Sequence, residues 1–129
     1  MPSRSVILDT NFLLIPYQFK INIIKELDYL IDIPHSLVVS KGILRELNTI
    51  AKSQGKRGVA ARVGLKMVEF NKDRIEIVDD DSNVDDWVLD YATKNNSIVC
   101  TNDVILRKRL KPHNIKVVVL KSKSKLGFA

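Results

Sequence analysis

Short β-branched apolar runs alternate along this chain with segments whose apolar residues recur every three or four positions. Val6–Leu8, Leu37–Val39, Ile98–Cys100 and Val117–Leu120 are nearly uninterrupted apolar runs, and Ile75–Val78 is a weaker one. Runs of this kind read as strands covered on both faces. Helical stripes fill the gaps: Ile21, Ile24, Leu27, Leu30 and Ile31; Ile43, Leu44, Leu47, Ile50 and Ala51; Val59, Val63, Met67, Val68 and Phe70; Val84, Val88, Tyr91 and Ala92. A short helix is predicted near Val104–Leu110. Loops are expected at Ile15-Pro16-Tyr17, Ser53–Gly58, Asp79–Asn83 and Lys111–Asn114. Lys121–Ala129 reads as a basic surface tail, with Leu126 and Phe128 as its possible anchors. Strands alternating with helices predict a parallel α/β sheet, whose ligands sit beyond the carboxyl ends of the strands.

At 129 residues and 45% apolar content the chain has the size of one domain with a real core, and it is too apolar for intrinsic disorder. Its lone cysteine, Cys100, excludes an internal disulfide framework and any cysteine-built zinc site. No apolar run approaches the ~18–20 residues that span a bilayer, and the first residues lack a secretory signal's apolar stretch. A soluble cytoplasmic protein is expected. The net charge of +6 conceals a division. After Asp103 there is no acid, while Arg107, Lys108, Arg109, Lys111, Lys116, Lys121, Lys123 and Lys125 follow. Residues 47–68 are also basic without acids, through Lys52, Lys56, Arg57, Arg62 and Lys66. Such blocks attract polyanions, nucleic acid above all, although a solvated surface explains charge asymmetry equally well.

Four carboxylates stand out by position. Asp9 follows Ser-Val-Ile-Leu at the carboxyl end of the first strand, and Asp103 lies just past the end of a later one. Asp85 opens the helix that begins at Val84, with Asp86 beside it, and Glu46 lies on the margin of an apolar helical stripe. Each has an ordinary structural explanation: Asp9 and Asp103 as helix caps, the Asp85-Asp86 pair as partners of a helix dipole, Glu46 as a solvated glutamate. Together they would gather at one edge of a doubly wound sheet. Like charges within ~4–6 Å oppose folding, and a divalent cation relieves them. An all-oxygen set suits Mg²⁺ or Mn²⁺. Neither His35 nor His113 lies at metal-ligand spacing. The dinucleotide and phosphate glycine loops and the serine elbow are missing from the sequence.

Val6-Ile-Leu-Asp9-Thr-Asn11, Glu46, the Val84-Asp85-Asp86-x-x-Leu89-x-x-Ala92 segment and Thr101-Asn102-Asp103-x-x-Leu106 resemble the PIN-domain nucleases along nearly the whole chain. Asp9 through Phe19 and Lys121 through Leu126 are most similar to small archaeal PIN proteins, a subgroup of VapC-type toxins and relatives of ribosomal-RNA-processing nucleases. The resemblance implies a three-layer sandwich, its central parallel sheet of about five strands flanked by helices on both faces, as a single domain over residues 1–129 with a basic tail from about 121. It implies a metal-dependent endoribonuclease with Asp9, Glu46, Asp85 and Asp103 as the acidic site, supported by Asn11 and Thr101. Of the adjacent pair, Asp85 leads because Val88 and Ala92 then stand as in the family motif; a helix turns ~100° per residue, which leaves Asp86 to act through water. Substrate contacts are expected from Lys52, Lys56, Arg57, Arg62, Arg107, Lys108 and Arg109. The implied partners are RNA, an antitoxin or ribosome-assembly proteins, and a second copy of the chain, with no membrane.

Two other classes compete. Haloacid-dehalogenase phosphotransferases need Asp-x-Asp after the first strand, and here the third residue is Asn11; phosphorelay receivers need an early acidic pair, and here there is only Asp9. A catalytically silent PIN-fold scaffold that binds RNA or protein during ribosome assembly would keep the fold and lose the turnover.

Overall fold

The computed structural model describes residues 3–129. Six strands form one sheet: β1 (Arg4–Leu8), β2 (His35–Ser40), β3 (Ile75–Val78), β4 (Ile98–Cys100), β5 (Val117–Ser122) and β6 (Lys125–Phe128). Their order is β3-β2-β1-β4-β5-β6. The first five run parallel and β6 returns antiparallel to β5. All five apolar runs of the sequence become strands. Val6, Ile7 and Leu8 of the central strand are wholly buried, as a strand covered on both faces requires.

Six helices connect the strands: α1 (Ile15–Phe19), α2 (Ile23–Leu30), α3 (Lys41–Ala51), α4 (Lys56–Phe70), α5 (Val84–Asn95) and α6 (Val104–Leu110). From β1 the chain builds outward through β2 and β3, then returns to place β4 and β5 on the other side of β1. Right-handed crossovers put helices made on the outward and return legs on opposite faces, which gives the three layers. The direction reverses between β1 and β4, and the crevice beyond the carboxyl ends of those two strands is the place where such sheets bind ligands. Among the described residues no helix is long and apolar enough to cross a membrane.

Polar side chains start the helices. Ser40 Oγ accepts from the Ile43 amide at 3.0 Å to open α3, and Asn83 Oδ1 accepts from the Asp86 amide at 3.0 Å to open α5. Three contacts tie α3 to the loop after β3: the Gly42 amide donates to the Asp80 carbonyl, and Lys41 and Arg45 pair with Asp79 and Asp81. These exposed pairs add little stability, but they fix where α3 enters the crevice.

Four expectations change. Of the expected loop Ser53–Gly58, the residues from Lys56 onward open α4, and of the expected loop Lys111–Asn114, Lys111–His113 form a 3₁₀ turn that extends α6. Ile15-Pro16-Tyr17 is not a loop but the first turn of α1, where proline's missing N–H costs nothing and its φ suits a helix. It follows a 3₁₀ turn over Asn11–Leu14. The segment expected as a surface tail forms the end of β5 and all of β6, with Leu126 buried and paired to Leu120. One buried leucine in a short basic stretch is a weak strand signal, because an edge strand exposes most of its residues.

The 3₁₀ turn that carries Asn11 is seated against α4 at Gly64. A Cβ there would fall 2.3 Å from the Leu13 carbonyl oxygen, a backbone atom with no freedom to retreat. Gly64→Ala is therefore expected to lower stability by about 2–3 kcal/mol through overpacking, despite alanine's better helix propensity, as read by urea denaturation.

Candidate active site

Asp9 is the first residue past β1 and only 3% exposed. Its amide donates to the Cys100 carbonyl at 3.0 Å, which continues the β1–β4 pairing one residue beyond β1. Thr101, the first residue past β4, donates its hydroxyl to Asp9 Oδ2 at 2.7 Å and accepts from the Asp103 amide at 3.0 Å. The one hydroxyl thus joins the two strand ends. Asn11 Oδ1 accepts from the Asn102 amide at 3.1 Å, and Asn102 Oδ1 accepts from the Leu120 amide at 2.9 Å. The segments after β1 and β4 are thus laced to each other and to β5 by side-chain amides and a hydroxyl.

The other acids arrive on helices. Glu46, on an exposed turn of α3, accepts from the Thr10 hydroxyl at 2.7 Å. Asp103 caps α6, its Oδ1 accepting from the amides of Ile105 at 2.9 Å and Leu106 at 3.2 Å. The cap uses one oxygen of the carboxylate. Asp85 is half-buried in the first turn of α5. Asp86 turns away to Arg109, whose guanidinium donates to Asp86 Oδ1 at 2.8 Å.

The acids feel one another. Burial pushes the Asp9 carboxyl up from 3.8 to about 6, opposed by the Thr101 and Thr10 hydrogen bonds and assisted by the charges of Asp85 and Glu46. Burial also raises Asp85, with the charges of Asp103, Glu46 and Asp86 adding to it and Arg109 opposing it. Charge thus links all four candidate acids. This is the arrangement that a cation stabilises, and the donors are all hard carboxylate oxygens. Their chemistry fits Mg²⁺ or Mn²⁺. Among the described residues, however, no three Asp, Glu, His or Cys side chains stand close enough to share one ion. Glu46 is held by Thr10 and Asp103 by its own helix, so binding an ion requires side-chain rotation.

The cations are less uniform. Lys52, Lys56 and Arg57 are exposed around the α3–α4 turn. Lys56 and Arg57 share a shallow cleft with Tyr17 and Lys20, whose ammonium sits 5.2 Å from the Tyr17 ring. Arg62 instead donates to the Ala51 and Ser53 carbonyls at 2.6 and 3.3 Å, closing the end of α3. Arg109 is occupied by Asp86. Arg107 and Lys108 lie on α6. Cys100 is fully buried in β4, its thiol pushed up by burial, as befits a small apolar residue.

Sequence reasoning missed Thr10, whose hydroxyl steers Glu46, and the strand-to-strand role of Asn102. The adjacency of Thr10 to Asp9 and of Asn102 to Asp103 was the only signal for either.

A family model described as a PIN like domain matches residues 6–123. The chain belongs to the PIN-like domain family. Two archaeal relatives agree along most of their lengths. Ribonuclease VapC4 of Methanocaldococcus jannaschii is 33% identical over 123 residues, 92% of this chain and 91% of the relative. Ribonuclease VapC9 of Archaeoglobus fulgidus is 32% identical over 120 residues, covering 92% and 84%. The solved structure of the PIN domain endonuclease Utp24 superposes with a TM-score of 0.79 at 22% identity, covering 96% of this chain and 90% of that one. At that identity the likeness shows the fold, and it confirms the three-layer PIN sandwich around a sheet whose sixth, antiparallel strand makes it mixed.

The raised Asp9 carboxyl has a measurable consequence in metal-free buffer. Between the unfolded value of 3.8 and the folded value of about 6, the folded protein keeps a proton that the unfolded chain has lost. Stability therefore falls as pH rises through this window and levels off above it, by about 3 kcal/mol for this group. Asp9→Asn keeps an acceptor for Thr101 and removes the titration. Urea midpoints from pH 4 to 8 in EDTA should show the variant overtaking the parent near neutral pH; parallel profiles would refute the assignment.

Proposed function

We propose that this PIN-domain protein is a metal-dependent endoribonuclease. The observation that carries the reading is the buried Asp9 carboxylate at the β1–β4 crevice, electrostatically linked to Glu46 and Asp85. The names of the two archaeal relatives support RNA as the substrate.

Asp9, Glu46, Asp85 and Asp103 would hold one or two Mg²⁺ or Mn²⁺ ions. When bound, such a cation offsets the negative charge that develops on a phosphodiester under attack and acidifies water. The chain's own residues supply the rest. Thr101 fixes Asp9 from one side and Asn11 fixes the loop behind Thr101, so the buried carboxylate needs no reorganisation. Glu46 approaches from α3 under control of the Thr10 hydroxyl. Asp85, half-buried in the first turn of α5 and still open to solvent, is placed to accept the proton of the attacking water. Asp86, occupied by Arg109, supports the α5–α6 contact. Lys52, Lys56, Arg57, Arg107 and Lys108 neutralise phosphates on either side, fixing position without reading sequence. Products carry a 5′-phosphate and a 3′-hydroxyl.

The names of the two sequence relatives, both VapC ribonucleases, favour a toxin-like ribonuclease with an antitoxin partner over a ribosomal-RNA-processing enzyme. Tyr29 and Phe70, 74% and 84% exposed on α2 and α4, are where a second copy would pack.

With Mn²⁺ the parent should cleave single-stranded RNA, and EDTA should abolish the reaction. Asp9→Asn and Asp85→Asn should each lose at least ~100-fold in rate, while Asp86→Asn keeps most of it. Millimolar Mn²⁺ should raise the melting temperature of the parent but not of Asp9→Asn. RNA binding without turnover in the parent would replace the enzyme with the silent scaffold.

A further inference from the structure

A concavity of about 860 Å³ lies apart from the four acids. It runs along α6 from Val104, the neighbour of Asp103, to the start of β5, and β6 forms one wall. Arg107 and Lys108 of α6 and Lys111, the residue that follows the helix, line one side of the concavity, and Lys116 faces them from the approach to β5. Elsewhere Lys41, Arg45, Arg74, Lys94 and Arg109 have each found a carboxylate. These four, like most lysines of the chain, have none within salt-bridge distance among the described residues; what sets them apart is that they line one groove, in a segment, residues 104–129, without an Asp or Glu. The Phe128 ring lies in the same wall, 38% exposed, with the Lys116 ammonium 6.0 Å from its centre.

We infer that this groove is a binding site for single-stranded RNA outside the scissile phosphate, an inference that rests on the ribonuclease reading above. Unneutralised cations in a row match a phosphate backbone. An exposed aromatic ring among them matches an unpaired base, which has a free face to stack; bases inside a duplex do not. One end of the groove adjoins the capping residue of the acidic site, so one strand occupies both. The basic C-terminal segment thus has a definite purpose: β6 brings Phe128 beside the cations of α6, and neither element makes the site alone.

Binding is measured without cleavage, by fluorescence anisotropy of a labelled oligouridylate in EDTA. Lys108→Glu/Lys111→Glu should weaken binding at least ~10-fold and flatten the dependence of log Kd on log salt. Phe128→Ala should weaken single-strand binding about fivefold or more, and Phe128→Tyr should restore it. A duplex of equal length should be insensitive to Phe128→Ala. Lys72→Glu, on the exposed turn before β3, controls for net charge and should leave binding near that of the parent. Melting curves establish that each variant is folded, and Phe128→Tyr keeps the test decisive if the alanine disturbs β6. An unchanged Kd in the folded double variant overturns the inference, as does polyglutamate competing as well as RNA. Weakened binding in a protein that never cleaves would remove the ribonuclease reading and leave the groove; normal cleavage with unaltered binding would do the reverse.

Discussion

One hydrogen bond, from the Thr101 hydroxyl to the Asp9 carboxylate, holds the functional end of this molecule together. It spans the two strands at which the sheet reverses its direction of growth. An aspartate so deeply buried would ordinarily be a liability. It persists because the Thr101 hydroxyl and the Thr10 backbone amide donate to the carboxylate and compensate part of its desolvation. The remainder is stored as a carboxyl that gives up its proton reluctantly. Asn11, Asn102 and Asp103 all take their positions from the same pair of strand ends.

That stored cost supports the proposal that the acids act as one set. A fold selected for stability alone has no reason to direct Asp85 and Glu46 toward an already disfavoured carboxylate. The surrounding chain shows the contrast. Asp28 is met by Arg74 through two hydrogen bonds and by His35, and its carboxyl is lowered below the usual range. Asp81 is lowered by Arg45 in the same way. Acids with structural duties have cations; those at the crevice mostly have one another.

Much of this was legible in the residues because each level agreed with the next. Uninterrupted β-branched runs such as Val6–Leu8 signal strands buried on both faces, and acids placed just after two of them fall at the sheet edge by topology alone. The choice of Asp85 over Asp86 came from the resemblance to the family motif, helical geometry saying only that the two carboxylates cannot both face one way; in the structure Asp86 pairs with Arg109. What escaped was decided by contacts distant in sequence. Arg62 looks like any surface cation until α4 folds back onto α3 and gives it two carbonyls to bind. Pro16 reads as a loop until a preceding 3₁₀ turn delivers it to the start of a helix. β6 has too few apolar residues to declare itself and exists because β5 offers it an edge.

Helix α6 has a polarity that matters to anything carrying phosphates. Its first residue follows the Asp103 cap, and Arg107, Lys108 and Arg109 fill its last turn, so at both ends side-chain charge opposes and outweighs the partial charge of the macrodipole. A single rigid rod therefore repels a polyanion at one tip and attracts it at the other. Seven residues at ~1.5 Å each separate those tips by about 10 Å. On the proposed function and groove, this rod would set how far the anchored part of a strand lies from the bond to be broken.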